Sequence, residues 1–149
     1  MRTWIFQGNP DDFPIYEYIK GCDEITWLVN KYEDKIKEGD EVYIWKGAGK
    51  EKGSAGIIAK GIILCNPKLI ETDLDGPYQW TYPRKLKEEL RVRIKLIDKR
   101  LNPANRVSRE EFEGDLDLMN HAIISGYQGI NFKLKDVQVE RLNELWNWI

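Results

Sequence analysis

The chain has 149 residues, a mass of 17.5 kDa and a formal charge of −2 at pH 7. Its 42% hydrophobic and 32% charged residues indicate one folded domain rather than a disordered segment. No apolar run approaches the ~18–20 residues of a membrane helix, and no signal peptide is evident. Two cysteines and one histidine provide few groups for a disulfide framework or a metal site. We therefore expect a single cytoplasmic domain over residues 1–149, without membrane, metal or cofactor.

The first half of the chain predicts strands separated by turns. Gly8-Asn9-Pro10 is the turn signal that closes the first strand, and a glycine- and lysine-rich segment, 46–54, predicts a hairpin loop. This loop joins strand to strand and lacks the Gly-Lys-Ser/Thr of a P-loop, so nucleotide hydrolysis is not favoured. The predicted elements are strands at 3–7, 25–29, 41–45 and 55–64, and a short helix at 15–20.

The second half predicts one long strand followed by helices, after an irregular stretch at 66–83. Residues 90–96 alternate strictly, with Arg91, Arg93 and Lys95 on one face and apolar side chains on the other. The whole pattern predicts an α+β fold dominated by β-structure: a bent barrel of about five or six strands with flanking helices. The helical signals are a capping box at Ser108–Glu111, a helix at 116–124, and a final helix from Asp136 with an apolar stripe of Val139, Leu142, Leu145 and Ile149.

Positive charge is concentrated in residues 84–109, which hold ten Lys or Arg against three Asp or Glu. A solvated strand is the ordinary interpretation, and a basic face for phosphate groups is the functional one. The candidate phosphate contacts are Lys46, Lys50, Lys52, Arg84, Lys85, Arg91 and Arg93.

Several aromatic side chains suit either a core or a stacking surface. Trp27 lies in an apolar strand, where burial is the commoner role and stacking on a base is the alternative. Trp45 has the same two interpretations, and the sequence favours neither. The turn at 8–10 either only reverses the chain or presents the Asn9 side chain to a base edge. Tyr78 and Trp80 occupy a Pro-bounded loop, which they either pin to the barrel or close over a ligand.

Catalysis has little support in the sequence. Cys22, Cys65, Asp12 and His121 are the candidate groups for a nucleotide-processing enzyme, and no local motif accompanies any of them. His121 lies in an apolar stretch, which favours a structural histidine.

Four segments follow one another along the chain: Trp4-Ile-Phe-Gln-Gly-Asn-Pro10, Thr26-Trp-Leu-Val-Asn30, Ile36-Lys-Glu-Gly-Asp-Glu-Val-Tyr-Ile-Trp45 and Ala55-Gly-Ile-Ile-Ala-Lys-Gly61. Together they resemble the EVE domain of the PUA-like superfamily. Each motif alone is weak, but their order and spacing extend over the chain, and 128–134 with a terminal helix fits the same pattern. The resemblance implies a bent PUA-like β-barrel with flanking helices.

This resemblance also implies a function. EVE domains resemble YTH domains, which hold methyladenine in an aromatic cage, and they occur fused to nucleases of modification-dependent restriction systems. A strand ending in Trp45-Lys-Gly is more similar to those fused modules than to the stand-alone eukaryotic proteins of the family. The implied role is binding DNA with a flipped 5-methylcytosine or 5-hydroxymethylcytosine, without catalysis; any cleavage would belong to a fused or partner nuclease. Recognition of modified RNA, or nucleotide processing, are the alternatives.

The resemblance assigns roles to particular residues. Trp27 is expected to be the main wall of the cage, Asn9 a base-reading group and the Leu28 amide a donor to the base. Tyr78 or Trp80 would be the second wall. The residues expected in or around the pocket are Gln7, Gly8, Asn9, Trp27, Leu28, Trp45, Tyr78, Trp80, Ser125 and Gln128.

Overall fold

The computed structural model describes residues 1–71, 88–126 and 129–148. Within these ranges, eight strands form one sheet and three helices flank it, which confirms the predicted strand-dominated α+β fold class. The strands are β1 (Thr3–Gly8), β2 (Glu24–Leu28), β3 (Glu41–Lys46), β4 (Gly56–Ile63), β5 (Lys68–Glu71), β6 (Glu88–Lys99), β7 (Val107–Ser108) and β8 (Asn131–Lys133). The helices are α1 (Ile15–Gly21), α2 (Arg109–Glu113) and α3 (Asp136–Trp148).

The strand count exceeds the expected five or six because three strands are very short. β5, β7 and β8 have four, two and three residues, which is too few for a periodic hydrophobic pattern. β5 also begins inside the stretch that the sequence marked as irregular, so that expectation was wrong for residues 68–71. The remainder of the irregular stretch, 72–83, lies outside the described residues.

The sheet order is β2-β6-β4-β3-β1-β8, with β5 beside β6 and β7 beside β4. The pairing is antiparallel except between β1 and β3, which run parallel in the register Gly8↔Lys46. Parallel pairing brings the carboxyl ends of these two strands to the same edge of the sheet. The turn after Gly8 and the loop after Lys46 therefore leave the sheet side by side, where Gly47 N donates to Gly8 O at 2.9 Å.

Both faces of the sheet are covered, which divides the core in two. Trp4 and Phe6 of β1 pack with α1 and β2 on one face, whereas Ile5 packs with α2 and α3 on the other. The centres of β1 and β3, Trp4–Phe6 and Val42–Trp45, are consequently continuous apolar runs rather than alternating, as expected for strands buried on both sides. No helix among residues 1–71, 88–126 and 129–148 is long and apolar enough to cross a membrane.

The helical predictions were right for α1, α2 and α3 and wrong for 116–124. The predicted capping box is present: Ser108 Oγ accepts from Glu111 N at 3.2 Å, and Glu111 Oε1 accepts from Ser108 N at 3.3 Å. After α2, residues 116–126 form successive turns. His121 N and Ile124 N donate to carbonyls only three residues back, and Ile123 N donates to the His121 ring instead of a backbone carbonyl. Such a local side-chain bond competes with helix formation.

The buried stripe of α3 also differs from the predicted one. Gln138, Leu142 and Trp146 are buried, whereas Val139 and Leu145 are only partly so. Gln138 can be buried because both polar atoms of its side chain are hydrogen-bonded. Its Oε1 accepts from Lys135 N at 2.9 Å and its Nε2 donates to Asp117 O at 3.2 Å. An apolar pattern cannot reveal such a polar residue. Ile149 is outside the described residues.

Candidate functional site

A pocket of about 910 Å³ opens where β1, β2 and β3 end. This volume lies within the usual range for small-ligand sites, and its wall combines aromatic, amide and charged groups. Sequence-predicted residues that line it are Gln7, Gly8, Asn9, Trp27, Leu28, Trp45, Lys52 and Arg91.

Trp27 reaches the pocket because Gly8 has no side chain. A Cβ added at Gly8 would lie 2.3 Å from Ile15 Cδ1 and 3.1 Å from Trp27 Cζ2. The indole therefore rests against the backbone at the end of β1 and is 6% exposed. It belongs to the apolar core and to the pocket wall at once, so the two interpretations of Trp27 from sequence are compatible.

The turn after β1 is held by hydrogen bonds centred on Asn9. Asn9 Oδ1 accepts from Asp11 N at 2.9 Å, and its carbonyl oxygen accepts from Asp12 N at 3.0 Å and Phe13 N at 3.2 Å. With Oδ1 used inside the turn, donation from Nδ2 is what Asn9 offers a ligand. Asp12 lines the same wall and adds a carboxylate, which the sequence had suggested only as a catalytic candidate.

The edge of β2 presents backbone groups to the pocket. Val29 N donates to Leu90 O at 2.8 Å, toward β6. Because amides in an antiparallel ladder point alternately toward and away from the paired strand, the Thr26 and Leu28 amides point away from β6. Thr26 N accordingly donates to the Tyr18 hydroxyl at 2.9 Å. The Leu28 amide faces the same side, at the pocket. Tyr18 and Thr26 were missed by sequence reasoning because they look like ordinary helix and strand residues.

Asn131 of β8 contacts the end of β2 and is another residue that the sequence did not single out. Its Nδ2 donates to Leu28 O, and its Oδ1 accepts from Asn30 N, both at 3.0 Å. The sequence feature that could have indicated Asn131 is a polar residue between two apolar ones, Ile130 and Phe132, within the segment 128–134 that fits the EVE pattern.

The loop at 47–53 forms the basic rim of the pocket. The loop packs closely on the turn after β1: a Cβ added at Gly49 would lie only 2.7 Å from Pro10 Cγ. Lys52 lines the pocket and is exposed, whereas Lys50 is exposed without lining it. Arg109 also lines the pocket and was missed; its Nη2 donates to Ile124 O at 2.6 Å, which joins α2 to the turns at 116–126.

Lys46 points inward rather than toward the rim. It is 7% exposed, and its Nζ donates to Gly47 O and Ser54 Oγ at 3.3 Å each. Burial lowers the pKa of Lys46, with the charge of Arg106 acting in the same direction. An ammonium group used in this way braces the loop, so we leave Lys46 out of the proposed phosphate contacts.

The two strand arginines have different environments although they share a face, as predicted. Arg91 is 3% exposed, lies in the pocket wall and donates from Nη1 to Thr26 Oγ1 at 3.0 Å. Its Nη2 lies 3.8 Å from Glu89 Oε1, so its charge is balanced within the wall. Arg93 is partly exposed, lies 3.5 Å from Glu24 and does not line the pocket.

The remaining predicted residues contribute little to the pocket or lie elsewhere. Trp45 lines it, but its ring packs edge-on against Phe112 with centroids 5.1 Å apart. Gln7 Nε2 donates to Gly129 O at 2.7 Å and so holds one side of the pocket. Ser125 is exposed and donates to Ala122 O; its neighbour Gly126 is the lining residue. Outside the described residues lie Tyr78, Trp80, Arg84, Lys85 and Gln128.

His121 is a structural histidine, as the sequence favoured. Its Nδ1 accepts from Ile123 N at 3.1 Å, which leaves the proton on Nε2 to donate to Lys133 O at 2.9 Å. Burial lowers the pKa of His121, although the bond to Lys133 O opposes that shift. Both ring nitrogens are engaged, so the imidazole is not poised for acid–base work in the pocket.

Solved structures with this fold come from distant organisms. A hypothetical protein from Leishmania major matches with a TM-score of 0.69 and 15% identity over 99% of this chain and 96% of that chain. A Pseudomonas syringae protein matches with a TM-score of 0.67 and 17% identity over 97% and 99%.

A third similar structure is the human THYN1 protein in complex with 5-methylcytosine-containing DNA. Its TM-score is 0.67 at 12% identity, over 98% of each chain. No family model matches the sequence, and no curated protein matches it either. At identities this low, the structural likeness establishes the architecture alone, which is shared over nearly the whole length of each chain. The chain therefore has the fold of these proteins, which agrees with the PUA-like architecture expected from its sequence motifs.

Proposed function

We propose that this chain is a recognition module that binds DNA and holds one flipped base, 5-methylcytosine or 5-hydroxymethylcytosine, in the pocket. The observation that carries the proposal is the convergence of three separate elements. β2 supplies Trp27 and the Leu28 amide, the turn after β1 supplies Asn9, and the loop at 47–53 supplies Lys52, all in one pocket. A stacking wall, hydrogen-bonding groups and a basic rim are the features that base flipping needs.

The polar groups in the wall suit the edge of a cytosine. Its N4 amino group donates, and a carboxylate such as that of Asp12 accepts from it. Its ring also carries acceptor atoms, which the Leu28 amide and Asn9 Nδ2 can satisfy. Stacking on Trp27 contributes roughly 1–3 kcal/mol, which offsets much of the cost of unstacking.

The modification itself contributes less. A buried 5-methyl group is worth about 0.8 kcal/mol, a few-fold in affinity. A larger preference requires a closely fitting wall around the 5-position or a hydrogen bond to a 5-hydroxymethyl group. For this reason the two marks need to be compared directly.

DNA is the favoured polymer because a protein of the same fold was solved with 5-methylcytosine-containing DNA. Lys52 supplies positive charge at the pocket and Lys50 extends it along the loop, whereas the charge of Arg109 is paired with Glu113, with Nε and Oε1 2.8 Å apart. Contacts between such groups and phosphates make the affinity fall as salt is raised. Modified RNA would use the same groups and is an outcome of the test below.

We infer no chemistry for the module itself. Both nitrogens of His121 are used in the fold, and Cys65 Sγ accepts from Arg93 N at 3.4 Å. If the protein acts in cleavage of modified DNA, a fused or partner nuclease would supply that step.

The test is binding of short duplexes at fixed low salt, each with one central cytosine, 5-methylcytosine, 5-hydroxymethylcytosine, adenine or N6-methyladenine. We expect one modified-cytosine duplex to bind several-fold more tightly than its plain counterpart. Trp27→Ala should abolish that preference. Because Trp→Ala in a core costs about 3–5 kcal/mol, Trp27→Leu is included as a variant that retains apolar bulk without the π-face.

Trp148→Ala is the matched control, since Trp148 is 88% exposed at the end of α3 and does not line the pocket. It should leave the preference unchanged. Equal binding to all duplexes, unaffected by Trp27→Leu, would refute a base-reading pocket. Tighter binding to a 5-methylcytosine RNA strand than to any duplex would move the proposal from DNA to RNA.

A further inference from the structure

The two ends of the sheet meet at one side chain. β2 and β8 are the first and last strands in the sheet order, and they are not paired with each other. Asn131 of β8 is 3% exposed and spans the gap between them. Its carboxamide bonds Leu28 O and Asn30 N as a neighbouring strand would do. The sheet is thus closed by a side chain instead of a backbone ladder.

The orientation of this carboxamide follows from its partners. Leu28 O can only accept a hydrogen bond and Asn30 N can only donate one, so Nδ2 must face the first and Oδ1 the second. A side chain at this position must therefore offer a donor and an acceptor together. Aspartate offers no donor when ionised, and alanine offers neither group.

Asn131 is itself firmly anchored. It pairs with Phe6 in the antiparallel β1–β8 ladder, and the adjacent Ile130 O accepts from Gln7 N at 2.8 Å. The side chain therefore transmits the position of β1 to the edge of β2. In β-structure the N–H and C=O of one residue point to the same side, so a bond that holds Leu28 O also sets the direction of the Leu28 N–H.

We propose that Asn131 is a positioning residue for base recognition: by holding the Leu28 carbonyl, it fixes the Leu28 amide as a donor into the pocket. The inference rests on the proposed function, because it assigns the Leu28 amide to the bound base. Tyr18 has the corresponding role earlier in the same strand, where its hydroxyl engages Thr26 N. The stretch of β2 beside Trp27 is in this way braced at Thr26 and at Leu28.

The test compares Asn131→Ala and Asn131→Asp with the control Asn143→Ala. Asn143 accepts a hydrogen bond from the Tyr43 hydroxyl on the α3 side, so its loss also removes a tertiary hydrogen bond, but away from β2. Each variant is first shown to be folded by its urea transition. Affinities for the modified and plain cytosine duplexes are then measured, with the ¹⁵N–¹H resonance of Leu28 followed with and without duplex.

For both Asn131 variants we expect the affinity for the modified duplex to fall several-fold, to about that of the plain duplex, which should itself change little, since one hydrogen bond that holds the flipped base is misplaced. Asn143→Ala should leave both affinities unchanged. The Leu28 amide should shift or exchange faster in the free Asn131 variants, and not in the control. Unchanged selectivity in folded Asn131→Ala would overturn the proposal and leave Asn131 a purely structural residue.

Failure of the proposed function can be told apart from failure of this inference. A wild-type protein that prefers no modified duplex refutes the function, whatever Asn131 does. The free-state Leu28 amide then decides the positioning claim alone: an unchanged resonance and exchange rate in Asn131→Ala would refute it.

Discussion

Gly8 determines the distance between the backbone and two side chains at the end of β1. Ile15 Cδ1 and Trp27 Cζ2 occupy the space that a Cβ would need at this position, so both side chains approach the backbone closely only because residue 8 is glycine. From the sequence, Gly8-Asn9-Pro10 predicted only a turn. The same glycine also contacts the Trp27 indole, but only because β2 and α1 fold over it. No local sequence pattern reveals that contact.

Gly8→Ala is expected to push the Trp27 ring out of its place and to destabilise the fold by about 1–3 kcal/mol, as overpacking in a core does. Binding of the modified duplex should weaken in the fraction that is folded. Urea unfolding and duplex titration measure the two effects.

Gly114→Ala is the control for this variant, because the nearest atom to an added Cβ there is Glu110 O at an ordinary 3.5 Å. We expect it to change stability by less than about 0.5 kcal/mol. A Gly8→Ala protein as stable and as selective as wild type would contradict the assigned packing of Trp27.

At the scale of elements, the long periodic segments were predictable and the short ones were not. β3, β4 and β6 were recognised from apolar or alternating runs, and α2 from its capping box. The helix expected at 116–124 is absent: the backbone there closes turns of three residues, and the Ile123 amide donates to the His121 ring instead of a carbonyl. Such competition between local hydrogen bonds is decided residue by residue, and hydrophobic spacing does not register it.

The loop at 47–53 is the element to which we assign phosphate contact. Lys52→Glu should weaken binding to all duplexes alike and reduce the salt slope by about one, since one phosphate contact is lost. The preference for a modified base should remain. Measuring affinity at several salt concentrations separates this effect from a change in the pocket.

Lys37→Glu makes the same charge change just before β3 begins, whereas the pocket lies where that strand ends. We expect a smaller loss of affinity and an unchanged salt slope. Equal effects of the two substitutions would show that overall charge, rather than this loop, governs affinity.

For the whole molecule, His121 couples stability to pH. Its neutral ring lies between Phe112 and Phe132, with centroid distances of 6.5 and 5.8 Å, and burial lowers its pKa. As the pH falls, the unfolded chain is protonated first. The stabilisation is therefore fully present above the ordinary histidine pKa of about 6.5 and is lost as pH falls toward the lower folded value.

We expect the free energy of unfolding to decrease as the pH falls below about 6.5, and His121→Gln to remove that component of the dependence. Because the chain has one histidine, a single imidazole signal in NMR reports its titration directly. Titration at or above about 6.5 would contradict the buried, neutral assignment.

The amino-acid sequence by itself determined the α+β class, most of the strands, the turn after β1 and Trp27 as a pocket candidate. These follow from local features: alternation, turn residues and ordered motifs, all of which lie within a few positions along the chain. The structure alone decided that Lys46 and Arg91 are buried, and that Tyr18, Thr26 and Asn131 brace the site. The bracing by Asn131 depends on contacts between residues as far as 103 positions apart, and such contacts exist only once the sheet has curled and brought its two ends together.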